Sequence, residues 1–248
     1  MDAVSTIKQH QSLRNFTGEP IKHEQLTAIE DAIIQTSSTC FLQWVTTIKI
    51  RDKAKLALIA ELSGHQEHIA NCDTFYMFCL DVTKLEHLTG LRPPYGLRFL
   101  IGGLNDCSAA CQNALTAAES LGLGGCFIGG YKAGISEVSQ LLKLPKGVVP
   151  LIGLCLGVPN EQYREAQKPR LPRSWLIMDE EFSNPWDKEG ASAEFASYDQ
   201  EFQRYYSSRK YNQHDATWSR SSLAYLSGTL KPAAAIIAYL KDQGFDFF

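Results

Sequence analysis

Residues 122–130 read Gly-Leu-Gly-Gly-Cys-Phe-Ile-Gly-Gly, so a short apolar segment lies between glycines on both sides. Glycine is favoured where φ must be positive or where another group approaches the backbone closely, and it weakens a strand interior. Small residues recur near the helical period over residues 110–121, which predicts a helix that ends at Gly122. Residues 126–128 are predicted as a short buried strand. Two glycines follow its carboxyl end, where open α/β sheets commonly place ligands.

The glycines allow more than one interpretation. Gly122, Gly124 and Gly125 are predicted to shape the turn from helix to strand, whereas Gly129 and Gly130 are either turn glycines or bare backbone held against a ligand. A dinucleotide-binding fold is a further alternative, because a strand, a glycine segment and a helix from about residue 135 follow in that order. The spacing Gly-Gly-x-x-x-Gly differs from Gly-x-Gly-x-x-Gly, and the next apolar strand occupies the place of the expected acidic residue. Support for that fold is weak.

Composition limits the classes of protein and partner. With 248 residues, 44% apolar and 21% charged, the chain is long enough for a sizeable core and is predicted to form one globular unit with an extension. A net charge of −3 gives no general attraction to nucleic acid or to an anionic membrane. Seven cysteines without a C-x-x-C pair indicate reduced, buried thiols. No leader-like or 18-residue apolar stretch is present, so we expect a cytoplasmic protein.

Apolar patterns predict about four strands interleaved with helices. The predicted strands are residues 45–50, 74–80, 126–128 and 148–156. The predicted helices are a first one up to about residue 10 and then 22–35, 53–62, 111–121, from 135, 193–208 and 232–243. Residues 96–103 are predicted to precede the alanine-rich helix, and the continuously apolar strand 74–80 is predicted to be covered on both faces. The chain changes character after residue 158, where two prolines make residues 168–172 extended.

Two short clusters are candidates for ligand binding. His10, Ser12 and Arg14 alternate, so on an extended segment they point the same way and could hold one ligand, although such residues are also common on surfaces. Lys168 and Arg170 flank a rigid proline, and the two cations could clamp a phosphate.

Motifs for hydrolysis are absent: the sequence contains no G-x-S-x-G, no H-E-x-x-H and no P-loop lysine. His65 and His68 are three residues apart, but no further ligand pair lies near them, so no metal is predicted. A bound redox cofactor requires cations for its phosphate, polar groups and free glycine backbone. It does not require an acid/base pair. Such a cofactor carries the reaction itself.

An ordered set of motifs identifies a family. The set consists of His10-Gln-Ser-Leu-Arg-Asn-Phe-Thr, Thr36-Ser-Ser-Thr-Cys-Phe-Leu-Gln, Gly64-His-Gln-Glu-His, Gln112-Asn-Ala-Leu-Thr-Ala-Ala-Glu-Ser-Leu followed by the glycine segment, Leu151-Ile-Gly-Leu-Cys-Leu-Gly, Lys168-Pro-Arg-Leu-Pro and Asp215-Ala-Thr-Trp. Over essentially its full length the sequence resembles the FMN-dependent nitroreductase superfamily. Within that superfamily it is similar to the NADPH-dependent oxygen-insensitive nitroreductase and flavin reductase group.

The resemblance implies an α+β fold with a central mixed or antiparallel sheet flanked by helices. It implies a homodimer with two equivalent FMN sites at the subunit interface. Residues 1–157 would form the FMN-binding core. Residues 158–248 would form a C-terminal extension that wraps the partner, completes the dimer and supplies the NADPH-binding region, within one structural unit.

The resemblance also implies the site residues. His10 and Ser12 would lie near the FMN phosphate with Lys168 and Arg170, and Arg14 would lie at the pyrimidine edge. The Gly129 N–H would face flavin N5. The full implied set of cofactor-binding residues is His10, Gln11, Ser12, Leu13, Arg14, Ser38, Gln66, His68, Phe127, Ile128, Gly129, Gly130, Lys168 and Arg170. No catalytic side chain is obligatory, because FMN carries the hydride while Arg14 and Gly129 tune the ring.

The same resemblance implies that Arg209, Lys210 and Lys231 bind the NADPH 2′-phosphate, although Arg209 could equally be a solvated charge at a helix end. NADPH would reduce FMN and leave, and a nitroaromatic, a quinone or a free flavin would then take two electrons from the same face. Two alternatives stay open: a flavin reductase that supplies a partner oxygenase, and an FMN-binding sensor without turnover. Gln11 stands where relatives commonly carry Arg, and Arg98 stands where some carry an acidic residue near the mouth of the active site.

Overall fold

The computed structural model describes residues 2–210, 212–229 and 233–247. The described chain falls into two compact units. The first unit comprises residues 2–161 and 233–247, and the second comprises the described part of residues 162–231. The fold class is α+β, as the sequence predicts, and none of the helices in the described ranges is both long enough and apolar enough to cross a membrane.

One antiparallel sheet of four strands lies at the centre of the first unit. The strands are β1 (Val45–Ile50), β2 (Thr74–Asp81), β3 (Gly124–Ile128) and β4 (Val148–Gly157). Their order across the sheet is β1-β2-β4-β3, and each neighbouring pair is antiparallel. All four predicted strands are present. Every residue of β2 is buried, which confirms the prediction that this continuously apolar strand is covered on both faces.

The helices of the first unit pack on the two faces of this sheet. They are α1 (Ala3–Lys8), α2 (His23–Ile34), α3 (Lys53–Leu62), α4 (Glu67–Asn71), α5 (Thr83–Thr89), α6 (Leu97–Ser120), α7 (Ile135–Leu141) and α11 (Ala233–Asp242). Alternate residues of β2 serve the two cores: Tyr76 and Phe78 pack with α2 and α6, and Phe75 and Met77 pack with α3 and α4. This alternation follows from the two-residue period of a strand.

Helix α6 begins much earlier than its predicted start. The sequence prediction places residues 96–103 before the helix, but α6 runs from Leu97 and contains Gly102 and Gly103. A Cβ on Gly102 would come within 2.6 Å of the Trp44 ring, and one on Gly103 within 2.7 Å of the Leu80 side chain. These glycines therefore let the helix pack closely on the sheet and do not end it, and the prediction was wrong there.

The sequence predicts two helices that each end at a glycine, and both of these ends are confirmed. Gly122 follows α6 with φ +80°, and Gly244 follows α11 with φ +91°, both in the left-handed region that glycine enters without strain. Pro232, the predicted first residue of the last helix, lies outside the described residues. Helix α11 packs into the first unit, where the Tyr239 hydroxyl lies 2.7 Å from Ser139 Oγ.

The second unit is built around an aromatic cluster. Its helices are α8 (Arg173–Leu176), α9 (Ala191–Ser207) and α10 (Trp218–Thr229). Tyr198, Phe202 and Tyr206 recur at helical spacing on α9 and are buried against neighbours that include Trp218. Helix α9 matches the predicted helix at 193–208, whereas α10 was not predicted. The predicted limit of the extension at residue 158 stays a prediction.

Candidate functional site

The N-terminal segment lies alongside strand β3. Leu13 N–H donates to the Gly125 carbonyl at 2.9 Å, and Ser12 forms a parallel bridge with Gly125. Leu13 occupies the space that a side chain on Gly124 would need. Gly125 has the same function towards the next strand, because a Cβ there would overlap the carbonyl of Cys155. Both glycines therefore allow close packing within the sheet, and the prediction that they shape the turn before it was wrong.

Gly129 and Gly130 lie just beyond β3 and have different surroundings. A Cβ on Gly130 would stand 2.7 Å from both Gln66 Nε2 and the Ser63 carbonyl, and Gln66 Nε2 itself donates to that carbonyl at 2.9 Å. A Cβ on Gly129 would meet only Lys132 Nζ, at 3.6 Å. Gly130 is thus bare because Gln66 packs against it. Gly129 is bare on a side that is open and exposed.

Lys132 is a member of this group that the sequence reasoning missed. Its side chain is partly buried beside Gly129, and that burial lowers the pKa of its ammonium group from the ordinary value. A cation removed from water attracts an anionic partner more strongly. The signal was a lysine three residues after Gly129.

His68 is buried on α4, with 6% of its surface exposed and no hydrogen-bond partner for either ring nitrogen. It lies beside the thiol of Cys126 on β3, and Arg14 adds a positive charge to the same region. Arg14 is half-buried, with its guanidinium 3.5 Å from the Ser12 carbonyl. The structure therefore brings together Arg14, Gln66, His68 and Gly129, which come from three separate parts of the chain.

His10 is held at the carboxyl end of α6. Its Nδ1 lies 2.6 Å from Glu119 Oε1, a contact that the sequence reasoning did not foresee. Gln11 is half-buried, while Ser12 and Phe127 are exposed and Ile128 is buried. Arg98 is exposed in the first turn of α6.

Ser38 lies apart from the other predicted residues of the first unit. Its hydroxyl donates to Asp106 at 2.9 Å and accepts from the Gln43 N–H at 2.9 Å. With Thr47 and Lys49 it lines a cavity of about 490 Å³. In the described part of this unit, no other predicted cofactor residue lines that cavity. Gln66 and Gly129 are not among the residues that line this cavity, and the predicted contact of Ser38 with FMN stays a prediction.

In the second unit, the predicted cations gather on the aromatic cluster. Lys168 Nζ lies 5.1 Å from the ring centre of Tyr206, and the Arg209 guanidinium lies 5.2 Å from the same ring. Arg170 is exposed, and its charge acts on Tyr198. Cations over aromatic faces are attracted to them, so the cluster fixes where these side chains lie.

Glu165, which contacts Arg209 and Lys210, is a second residue that the sequence reasoning missed. Its carboxylate forms an ion pair with Arg209 Nε and accepts from the Lys210 N–H at 3.0 Å. Lys210 Nζ also donates to the Gln162 carbonyl at 3.3 Å. Of the two cations predicted for the 2′-phosphate, Arg209 thus pairs with a carboxylate in this structure, whereas the Lys210 ammonium group donates to a backbone carbonyl. Lys231, the third, lies outside the described residues.

The donors of the first unit suit FMN. The flavin ring presents acceptors along one edge, and Arg14, Lys132, Gln66 and the bare backbone at Gly129 present donors or positive charge. Two buried ring nitrogens on His68 without partners add unused polar groups in the same region. Among the described residues, no group of three or more His, Cys, Asp or Glu side chains is arranged to hold a metal ion.

Two family profiles and several relatives match nearly the whole chain. The profile described as "Nitroreductase family" matches residues 7–158, and "Nitroreductase family, C-terminal domain" matches residues 168–247. The "Oxygen-insensitive NADPH nitroreductase" of Salmonella typhimurium is 40% identical over 95% of this chain and 94% of its own. The "NADPH-flavin oxidoreductase" of Vibrio harveyi is 35% identical over 98% of both chains. A solved structure, the NADPH:FMN oxidoreductase of Vibrio harveyi complexed with NAD⁺, superposes with a TM-score of 0.86 at 32% identity and covers 98% of each chain.

Proposed function

This chain belongs to the nitroreductase family, and we propose that it is an FMN-dependent oxidoreductase that passes hydride from NADPH to nitroaromatics, quinones or flavins. The observation that carries the proposal is the open backbone at Gly129, next to Gln66 and Lys132 and at the end of β3. Bound FMN supplies the ring that accepts and donates the hydride. The names of the relatives, an NADPH nitroreductase and an NADPH-flavin oxidoreductase, support both cofactors.

The side chains of the first unit bind and orient the cofactor. Arg14 and Lys132 place positive charge where negative charge accumulates during reduction, which stabilises the transition state without a proton transfer. The Gly129 N–H would donate to the reacting edge of the ring, and Gln66, which packs against Gly130, would hold the turn that presents it. His10, Gln11, Ser12 and Leu13 are proposed to bind FMN on its phosphate side, and Lys168 and Arg170 of the second unit are proposed to bind the FMN phosphate. Phe127, Ile128, Gly130 and His68 complete the set.

A homodimer explains the position of Ser38. In one copy, Ser38 is pinned to Asp106 away from Gln66 and Gly129, so it would reach the cofactor bound by the other copy. Helix α6 supports such an interface because Leu97, Ile101 and Leu104 leave an exposed apolar stripe at helical spacing. Since all seven cysteines are free, we place the reaction in the reducing cytoplasm.

The two substrates use the site in turn: the oxidised nicotinamide leaves before the acceptor binds. The test is an anaerobic titration of the purified, FMN-loaded protein with NADPH, then with a nitroaromatic, a quinone and free FMN. We expect the yellow colour to bleach and each acceptor to restore it. A protein that retains no FMN contradicts the proposal, and one that retains FMN but is not bleached is the sensor.

A flavin reductase is the second candidate, favoured by the flavin oxidoreductase among the relatives. The two functions differ in the preferred acceptor. Turnover of free FMN well above that of nitroaromatics and quinones would identify the reductase.

Arg209 and Lys210 are proposed to bind the NADPH 2′-phosphate, Arg209 after its guanidinium is released from Glu165. Arg209→Ala is expected to raise KM for NADPH by about tenfold or more, because a charge-assisted bond is lost, and to change KM for NADH little. Arg204→Ala, at an exposed arginine in the last turn of α9, is the matched control. An equal rise in KM for NADPH and for NADH would show that Arg209 has only a structural role.

A further inference from the structure

We propose that Cys126 and Cys155 form a hydroperoxide-reactive thiol pair, in which Cys126 is the attacking thiolate, His68 receives its proton and Cys155 closes a disulfide. This pair is a modification site separate from the proposed hydride transfer. It rests on the register of the sheet, on the burial of an unpartnered imidazole and on the contacts between the three side chains.

The sheet places the two thiols directly opposite each other. Cys126 on β3 is paired with Cys155 on β4 in an antiparallel register, so both side chains lie on the same face. Residues opposite in such a pair have Cα atoms about 4.5 to 5.5 Å apart, which falls within the range that a disulfide spans. Cys155 Sγ already lies 3.5 Å from the Cys126 carbonyl oxygen. On its other side Cys155 faces Phe75, so Cys126 is its thiol neighbour across the sheet.

His68 gives Cys126 a base. The imidazole is more than nine-tenths buried beside the thiol, and neither nitrogen has a hydrogen-bond partner. An unpaired buried polar group is costly, whereas an imidazolium facing a thiolate satisfies both groups. An imidazole that lies beside a thiol and has a free ring nitrogen to take up the proton is the arrangement that activates a cysteine.

The pKa values of the two thiols are shifted in opposite directions. A hydrogen bond from Cys155 lowers the pKa of the Cys126 thiol, burial opposes this, and His68 and Arg14 add to the lowering. The same hydrogen bond, together with burial, raises the pKa of Cys155. Cys126 is therefore the thiolate that attacks, and Cys155 stays protonated until it resolves the intermediate.

The other buried cysteines lack this arrangement. Burial raises the pKa of Cys72 and of Cys79 to about 12. Cys107 and Cys111 lie four residues apart on α6, and burial raises the pKa of both thiols, with no cation among the causes of either shift. These four thiols serve as internal controls within the same chain.

The reaction balances with a hydroperoxide as oxidant. The Cys126 thiolate attacks the peroxide O–O bond, an S–O bond forms, and the departing oxygen takes the proton from His68 and leaves as water or an alcohol. Cys155 sulfur then attacks the sulfenic acid, the S–O bond breaks, and a second water leaves with the Cys155 proton. Two thiols lose two electrons to one peroxide. Cys126 is 3% exposed on the edge strand of the sheet, whose outer side is bridged by Ser12, so the peroxide would enter as that edge opens.

The test treats the purified FMN-loaded protein with hydrogen peroxide, blocks the remaining thiols after unfolding and maps the peptides by mass spectrometry. We expect a Cys126–Cys155 disulfide before any oxidation of Cys72, Cys79, Cys107 or Cys111. In Cys155→Ser, we expect the reaction to stop at a sulfenic acid on Cys126, which dimedone traps. In Cys126→Ser, Cys155 is expected to stay reduced.

A matched pair of histidine variants tests the base. His68→Asn is expected to slow formation of the sulfenic acid by about a hundredfold, because it removes the group that protonates the departing oxygen. His65→Asn, on the exposed residue three positions earlier, is expected to leave the rate unchanged, and its φ of +58° is one that asparagine tolerates. The proposal is overturned if the buried cysteines oxidise equally, or if Cys126 in the folded Cys155→Ser protein gives no trapped sulfenic acid.

Discussion

At the scale of single residues, neighbouring glycines in one segment have separate functions. Gly122 supplies a left-handed backbone after α6, while Gly124 and Gly125 let Leu13 and the backbone of β4 come close. Gly130 leaves room for Gln66, and Gly129 faces open space. The glycine content was visible in the sequence. The neighbour that each glycine accommodates was not, because most of these neighbours are distant in the chain.

Alanine variants at Gly129 and Gly130 are expected to differ. A Cβ at Gly130 overlaps the Ser63 backbone, so Gly130→Ala is expected to destabilise the fold by about 1–3 kcal/mol through overpacking. Gly129→Ala is expected to keep normal stability but to weaken retention of FMN. Urea unfolding and FMN dissociation, measured on both variants, separate the two effects. Equal stability loss in both would contradict the different surroundings.

At the scale of secondary structure elements, the loop before β1 is held by one buried carboxylate. Asp106 on α6 accepts hydrogen bonds from Ser38 Oγ, from Thr39 through its N–H and hydroxyl, and from Trp44 Nε1 at 2.7 Å. Within this loop Cys40, Phe41 and Gln43 have positive φ values, a conformation that costs energy for residues other than glycine. The carboxylate therefore stabilises a backbone that the loop would not adopt alone.

Asp106→Ala is expected to release this loop. It leaves several buried donors without an acceptor, each at a cost of about 1–3 kcal/mol, so we expect clear destabilisation and faster hydrogen exchange at residues 38–44. Asn105→Ala, an exposed neighbour on α6, is the control and should change neither. Unaltered exchange in Asp106→Ala would show that the loop is held by other contacts.

Helix α10 begins with a cap that comes from α9. Asp199 accepts from the Ser219 N–H at 3.0 Å and from its hydroxyl at 2.6 Å. Burial on its own raises the pKa of Asp199, but these hydrogen bonds outweigh it and hold the pKa below the ordinary value. A carboxyl group with a lowered folded-state pKa stabilises the fold above its unfolded-state pKa of about 3.9, and that contribution is lost as the pH falls through the folded value.

The lowered pKa of Asp199 determines how the stability of α10 depends on pH. We expect hydrogen-exchange protection of α10 amides to decrease below about pH 4 in the unaltered protein. In Asp199→Ala we expect it to be low already near neutral pH, because a cap is worth about 1 kcal/mol. Asp179→Asn, an exposed aspartate in the same unit, should behave like the unaltered chain. Protection that does not depend on pH would rule out the ionised cap.

At the scale of the whole molecule, the chain has a core that buries its sheet on both faces and an exposed apolar stripe on its longest helix. Ile101 is 51% exposed in the middle of that stripe. A buried charge without a partner is strongly unfavourable at an apolar interface. The stripe is therefore the place to test the proposed homodimer.

Ile101→Glu is expected to give a folded monomer that binds FMN weakly, since each site would lose the Ser38 that the other copy is proposed to supply. Leu88→Glu, at an exposed leucine on α5, is the matched control and should remain dimeric. Light scattering during size-exclusion chromatography measures the mass, and absorbance of the flavin measures the cofactor. A dimer in Ile101→Glu with full FMN content would place the interface elsewhere.

The sequence predicted all four strands and the α9 helix from local residue patterns, and the α+β class from its resemblance to a family. The start of α6 and helix α10 were missed. Glycines suggested a break in α6 that close packing on Trp44 and Leu80 removes. Helix α10 begins with a capping carboxylate that lies 20 residues away in the chain.

For the site, the sequence by itself determined which residue types are present and, through the order of its motifs, the family and the cofactor. Only the tertiary structure decided which of them meet: Leu13 with Gly124, Gln66 with Gly130, His68 with Cys126, and Arg209 with Glu165. Local patterns follow from the periods of helices and strands, which are properties of neighbouring residues. Contacts between distant residues depend on strand register and helix packing, and the chain acquires those only when it folds.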